Sequence, residues 1–146
     1  LPMHKGIYCL VLKKTSCALN VGSLGIISFR QGFQVYVGSA LGPGGLARVV
    51  RHIRCARNGC EHPHWHIDYL LTSEHFTLAR VHCFPTGERM ECRLASILPG
   101  DAVRGFGCSD CTCTSHLFSF RRDPGDLLPD TAAMLGLSAY SKTIKK

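Results

Sequence analysis

Acidic residues are scarce in this chain of 146 residues, which has 10 Asp and Glu against 17 Lys and Arg. The formal charge of +7 favours a polyanionic partner, although charge alone identifies none. Long apolar runs are also lacking, and none approaches the roughly 18 residues of a membrane-spanning helix. No apolar segment typical of a secretory signal precedes residue 6. We therefore expect a cytoplasmic protein that makes no membrane contact.

Cysteine, by contrast, is abundant, with nine residues. An odd number of cysteines without a secretory signal argues against a disulfide framework. Cytosolic thiols, a metal site and the intracellular disulfides of a hot-environment organism all stay open. Cys9 and Cys83 lie in apolar segments, so we expect them to be small buried hydrophobes.

Apolar and turn patterns predict an α/β fold with a small central antiparallel sheet flanked by helices. Strands are predicted at 6–12, 18–22, 26–29, 33–38, 76–84 and 116–120, and helices at 45–55, 64–71, 88–98 and 131–137. Residues 18–31 are interpreted as an extra hairpin that feeds the same sheet. Length favours one domain over residues 1–146, with its core at about 5–120 and a C-terminal extension at 121–146. The tail, SKTIKK, is polar and expected to fray.

The stretch from Tyr36 to Arg54 passes from a strand, through a Gly/Pro break, into a helix. Four apolar residues recur there at helical spacing and predict a face that packs on the core: Leu46, Val49, Val50 and Ile53. Arg48, Arg51 and His52 fall on the opposite face. The positive charge of that face can bind a phosphate. The ordinary interpretation is a charged helix face that is simply exposed to solvent.

Two tripeptides precede this helix, Gly6-Ile7-Tyr8 in the first strand and Tyr36-Val37-Gly38 at the end of a later one. Together with the RxxRH pattern of residues 48–52, they resemble the GIY-YIG nuclease family. The resemblance covers roughly residues 5–100. It departs from the family in Val37, where isoleucine is usual, and in a longer Gly/Pro loop before the helix.

Two further segments, HWHIDYLL (64–71) and GFGCSDCTCTSHL (105–117), are similar to a small-protein branch of that superfamily. Members of this branch are sometimes fused to DNA-repair glycosylases. The resemblance therefore implies a divalent-metal-dependent endonuclease that hydrolyses DNA, with a place in DNA repair.

The resemblance also implies a role for each site residue. Tyr8 would position or deprotonate the attacking water, and Arg48 would contact the scissile phosphate with its planar guanidinium. Glu91 would hold one Mg²⁺ or Mn²⁺ together with substrate oxygens and waters. Tyr36 and His52 would line the site, with His52 as a proton relay or a phosphate contact.

Ordinary interpretations of the same residues remain open. Tyrosines are common in strands, and Glu91 suits a helix N-terminus. The rival function is a non-catalytic nucleic-acid-binding module on the same fold. In either case we predict nucleic-acid contacts by Arg51, Arg54, Arg57 and Trp65. Trp65, the sole tryptophan, is alternatively a core or groove anchor.

The cysteine-rich segment offers a second possible metal site. Cys111, Cys113 and His116 have the chemistry of a Zn²⁺ ligand set. Their spacing, however, is not the paired CxxC with a long gap that closed zinc sites usually show. The alternative is a structural loop in which the cysteines are buried. A zinc-stabilised interaction module is therefore a third possible function.

Overall fold

The computed structural model describes residues 4–108 and 113–144, which form an α/β fold. The strands are β1 (Gly6–Lys14), β2 (Cys17–Asn20), β3 (Ile26–Phe29), β4 (Gly32–Ala40), β5 (Phe76–Pro85), β6 (Asp101–Ala102), β7 (Leu117–Phe120) and β8 (Tyr140–Thr143). The helices are α1 (Ala47–Asn58), α2 (His66–Leu71), α3 (Glu91–Ile97) and α4 (Leu127–Met134).

Within the described residues, six strands form one sheet in the order β6-β7-β4-β1-β5-β8, and all neighbours are antiparallel. β1 lies inside the sheet because its side chains are apolar on both faces. Tyr8 and Leu10 belong to one buried cluster, and Ile7 and Cys9 belong to the other. The predicted α/β fold with a central antiparallel sheet is confirmed. The register places Tyr8 directly opposite Gly38.

Helices cover both faces of this sheet. The cluster that contains Tyr8 also takes the inner residues of α1 and α2, including Val49 and Ile67. The opposite cluster takes the inner residues of α3 and α4, including Leu94 and Leu128. Burial of these apolar side chains on two sides is the main source of stability for the fold. The arrangement leaves the first turns of α1 and α3 near the same end of β1 and β4.

The extra hairpin is present, but it does not join the main sheet. β2 and β3 pair with each other as a separate two-stranded sheet. The prediction that they feed the same sheet was wrong, because the hairpin instead packs Leu19 and Ile27 against the cluster that contains Tyr8.

The polar tail was also misinterpreted. Instead of fraying, β8 pairs with the outer edge of β5, from Cys83 opposite Tyr140 to Arg80 opposite Thr143. Its four residues are exposed, so backbone hydrogen bonds rather than apolar burial hold it in place. The helix predicted at 131–137 begins earlier, at Leu127. Part of the proposed C-terminal extension therefore packs into the fold.

Two faces of α1 differ in detail from the prediction. Val49 and Ile53 are buried as expected, but Val50 is 36% exposed. His52, predicted on the solvent face, is only 1% exposed. The reason is that the Tyr8 ring and the Trp65 ring lie against its imidazole and cover it.

The cysteines also depart from expectation. The structure contains disulfides between Cys55 and Cys60 and between Cys92 and Cys113. The argument against disulfides was wrong because an odd number of cysteines in the whole chain does not prevent individual pairs from forming. Cys9 and Cys83 are fully buried, as predicted.

In the described parts of the chain, no helix combines the length and the apolar character that crossing a lipid bilayer requires.

Candidate active site

A cleft of about 370 Å³ opens where β1 begins and β4 ends. Four of the five predicted catalytic residues line it, and they come from four different elements: Tyr8 from β1, Tyr36 from β4, Arg48 from α1 and Glu91 from α3. His52, the fifth, does not line the cleft and lies behind Tyr8. Trp65, predicted to contact nucleic acid, forms part of the wall.

Tyr8 lies at the inner end of the cleft and is 2% exposed. Its ring crosses over Gly38, where the absence of a side chain leaves room for it. The Tyr8 hydroxyl is 2.7 Å from Nε2 of His52, which is a hydrogen-bond distance. Because neutral imidazole carries one ring proton, the hydroxyl donates to Nε2 when that proton is on Nδ1. The Tyr36 ring lies 6.3 Å from the Tyr8 ring, centre to centre.

Burial controls the ionisation of this pair. Burial, reinforced by Tyr36, raises the pKa of Tyr8 well above its ordinary value, although Arg48 opposes the shift. Burial likewise lowers the pKa of His52 to about 3, against the opposing effect of Asp68. Both groups are therefore neutral at pH 7. In this state Tyr8 is a hydrogen-bonding phenol and not a phenolate.

Arg48 reaches the cleft from the first turn of α1. Its Nη1 donates a hydrogen bond to the Ser39 carbonyl oxygen at 2.7 Å. The guanidinium carbon also lies 4.9 Å from the centre of the Trp65 ring, within cation–π range. The side chain is half-buried and lines the cleft. The arrangement holds a planar cation beside Tyr8, as charge relief on a phosphate requires.

Glu91 is the first residue of α3, and the surroundings of its carboxylate are unusual. Its Oε2 is buried and has no hydrogen-bond partner in the described part of the protein. A buried carboxylate oxygen without a partner is costly. Mg²⁺ and Mn²⁺ prefer oxygen ligands of this kind, so the Glu91 carboxylate fits the metal that the resemblance implies.

The other predicted nucleic-acid contacts lie outside the cleft. Arg51 makes a two-pronged ion pair with Asp68, at 3.0 Å through each of its terminal nitrogens. Arg54 and Arg57 are exposed on α1. Trp65 contacts Arg48, Arg51 and two histidines, so its ring is already surrounded by side chains.

A cysteine and histidine cluster adjoins the cleft. Cys113 and His116 lie together, and the third member is Cys92 of α3, a residue that the sequence interpretation missed. Cys111 lies outside the described residues. One ligand atom from each of the three lies within 4.8 Å of the others. Nδ1 of His116 is 2.9 Å from the Val37 carbonyl oxygen, and its Nε2 is 3.8 Å from the Cys92 sulfur.

Other residues also form the cleft wall, and sequence reasoning missed one of them, Arg89. Arg89 is exposed at the rim, two residues before Glu91, and His64, His66 and His116 add imidazoles. His66 fixes the neighbouring loop, because its Nδ1 accepts a hydrogen bond from the Gly107 backbone N–H at 2.9 Å. The one feature of the sequence that could have indicated Arg89 as a cleft residue is its closeness to Glu91.

Residues 7–135 match the model of a family described as "Domain of unknown function DUF123". No curated protein and no solved structure matches the chain.

Proposed function

The chain belongs to this DUF123 family, and we propose that it is a divalent-metal-dependent endonuclease of the GIY-YIG type that hydrolyses phosphodiester bonds in DNA. The proposal depends chiefly on one observation. One cleft is lined by a phenol, a guanidinium and a carboxylate whose buried oxygen has no partner among the described residues, and the three come from elements distant in the chain. Packing of a core does not require these three groups to meet, whereas phosphodiester hydrolysis uses all of them.

Glu91 is the residue that would hold the metal. A bound Mg²⁺ or Mn²⁺ supplies Lewis-acid charge relief for the phosphate oxygens. The neighbouring Arg89 keeps a positive charge at the mouth of the cleft, where a substrate phosphate would enter.

Arg48 and the tyrosines handle the phosphate and the water. The Arg48 fork stabilises charge on the non-bridging oxygens, held in place by Ser39 and Trp65. Tyr8 orients the attacking water through its hydroxyl, with His52 as the hydrogen-bond partner behind it. Proton loss from Tyr8 to His52 is strongly uphill while both keep their shifted pKa values. We therefore assign positioning rather than proton abstraction to Tyr8.

Double-stranded DNA is the proposed substrate, with weak sequence specificity. Arg54 and Arg57 on α1 extend the positive surface beyond the cleft. Contacts to phosphates position a duplex but do not read its bases. The similarity to a branch that occurs with repair glycosylases favours structured or damaged DNA as the natural target.

Substitution of Glu91 by glutamine tests the proposal. Glu91→Gln keeps the side-chain shape but removes the charge that would hold the metal. We expect cleavage of a supercoiled plasmid with Mg²⁺ or Mn²⁺ to fall by at least about 10²- to 10³-fold, the scale for losing one charge-stabilising group. Arg48→Lys should also fail because a point charge does not reproduce the fork. Tyr8→Phe should lose about 10²-fold or more.

Glu88→Gln is the matched control, since Glu88 is exposed and absent from the cleft wall. It should cleave as the parent does. Every variant should remain folded in a thermal unfolding scan, and Glu91→Gln should keep the parent's affinity for a labelled duplex. Equal cleavage by Glu91→Gln and the parent would contradict the nuclease proposal. Binding without cleavage by the parent would favour the non-catalytic module instead.

A zinc-stabilised module is the second candidate, favoured by the Cys92, Cys113 and His116 cluster. The His116 ring is anchored through Nδ1, which directs Nε2 toward the sulfur of Cys92. Such anchoring of the second nitrogen is typical of histidine metal ligands. Cys92 and Cys113 are bonded to each other in the structure, so Zn²⁺ could bind only after reduction of that bond.

A further inference from the structure

Asp68 is a fully buried carboxylate one helical turn after the cleft wall residue His64. It accepts four hydrogen bonds. Two come from the Arg51 guanidinium at 3.0 Å each, and two come from the backbone N–H groups of His64 and Trp65, at 2.7 and 3.1 Å. One side chain therefore fixes both the position of Arg51 and the start of α2, where Trp65 lies.

Arg51 is held against the same tryptophan. Its guanidinium carbon lies 4.5 Å from the centre of the Trp65 ring. Because Asp68 neutralises it through a two-pronged pair, Arg51 can share this ring with a second cation. That second cation is Arg48, at 4.9 Å from the ring centre.

Arg48 is held by the Trp65 ring, by the Ser39 carbonyl oxygen and by a hydrogen bond to the Tyr8 hydroxyl. Movement of the ring would release one side of its guanidinium. Without the Asp68 carboxylate, Arg48 and Arg51 would repel each other across the ring, and the Trp65 backbone N–H would lose its acceptor. The aim of Arg48 into the cleft thus depends on a residue that does not itself line the cleft.

We propose that Asp68 is a positioning residue, which sets Trp65 and, through it, aims Arg48 at the substrate phosphate. The consequence for turnover rests on the proposed nuclease function, whereas the placement of Trp65 does not. As a corollary, we expect Arg51 to serve this internal pair with Asp68 rather than to bind DNA.

Asp68→Asn in the full chain tests this assignment. Asparagine keeps the shape and removes the charge, so both backbone N–H groups keep an acceptor of reduced strength while Arg51 loses its counter-charge. We expect turnover on supercoiled plasmid to fall by about 10²-fold, the scale for a small misplacement of a catalytic group. Affinity for a labelled duplex should be unchanged or tighter, because the variant is more positive. Glu74→Gln removes the same charge from an exposed position, so it should show any affinity gain that comes from net charge alone and should leave turnover unchanged.

Trp65 fluorescence gives a readout that is independent of cleavage, because this is the only tryptophan. In Asp68→Asn, acrylamide should quench Trp65 more strongly, at a temperature where the melting curve shows the variant folded. A merely structural residue would lower the melting temperature without changing quenching in the folded protein. Arg51→Lys, which keeps the charge but loses the fork, should give the same increase in quenching and covers the case in which Asp68→Asn does not fold.

Unchanged turnover or unchanged Trp65 quenching in the folded variants would overturn the assignment. If the parent does not cleave DNA under any metal condition, the proposed function fails instead. In that case quenching by itself tests whether Asp68 places Trp65. An increase in quenching supports this placement, and unchanged quenching rejects it.

Discussion

Gly38 shows at the scale of one residue why the two tripeptides of the sequence belong together. The register places it opposite Tyr8, and the Tyr8 ring lies over the position that a side chain would occupy. The third residue of one tripeptide therefore requires the glycine of the other. Gly38 is required here because it has no side chain. Its backbone does not have the positive φ angle that favours glycine.

Substitution of this glycine should displace the tyrosine. A Cβ at Gly38 would overlap the Tyr8 ring, so Gly38→Ala should cost about 1–3 kcal/mol of stability as an overpacked site does. Turnover of the folded variant should fall by about 10²-fold because the hydroxyl moves. Plasmid cleavage and thermal unfolding measure the two effects. Gly87→Ala, where a Cβ would meet open space, is the control. Full activity in folded Gly38→Ala would show that Tyr8 placement is unimportant.

Residue types at the cleft could be predicted only in part. Tyr8, Arg48 and Glu91 were found through motif resemblance, and they do lie around one cleft. Arg89 was missed because one exposed arginine in a turn carries no local pattern. The partners of Arg51 were missed as well, since pairing with Asp68 crosses seventeen residues of sequence and depends on how α1 and α2 pack.

At the scale of elements, periodicity located the helices and central strands but not the pairing of edge strands. Residues 6–12 of β1 are apolar, and this run predicts its own burial. β8 has four exposed residues, so no pattern of side chains marks it, and its backbone pairing with β5 follows only from an available edge. The β2–β3 hairpin is separate from this sheet and is held by the packing of its side chains on the core. Pairing depends on what the rest of the sheet leaves open.

Helix α3 and the segment before β7 are joined by the Cys92–Cys113 bond, and this link yields a test for zinc. A small dithiol reductant opens the bond, forming two thiols and its own cyclic disulfide. The thiols then lose two protons as Zn²⁺ binds with His116. We expect near-stoichiometric zinc in reduced protein by elemental analysis, and a melting temperature that a chelator lowers. Oxidised protein should bind none.

Variants locate that metal. Cys92→Ser and His116→Ala should each abolish zinc retention, whereas Cys17→Ser, a free cysteine outside the cluster, should retain it. Reduced parent protein that is free of zinc and indifferent to chelation would exclude the zinc-stabilised module.

At the scale of the whole molecule, a sheet covered on both faces buries a neutral histidine on each side. His52 lies in the layer of α1, and His82 of β5 lies on the opposite face beside Phe84. Burial is the main cause of the low pKa of both, about 3 for His52 and about 4 for His82. For His82 the nearby Arg80 adds to burial, while Asp126 and Asp123 oppose it.

These two histidines should make the fold sensitive to mild acid. Above the ordinary histidine pKa of about 6.5, both states of the protein leave them neutral and no effect is expected. As the pH falls below that value, both imidazoles become protonated in the unfolded chain. In the folded protein they stay neutral until about pH 4 or lower. Stability should therefore be present above pH 6.5 and fall by about 2 kcal/mol per histidine between pH 7 and pH 5. Urea unfolding at the two pH values measures this fall.

A His52→Gln and His82→Gln double variant should lose most of the pH dependence, whereas His62→Gln, at an exposed site, should keep it. A parent whose unfolding free energy is the same at pH 7 and pH 5 would show that the buried imidazoles take up protons without cost, and the neutral hydrogen bond between Tyr8 and His52 assigned to the cleft would have to be abandoned.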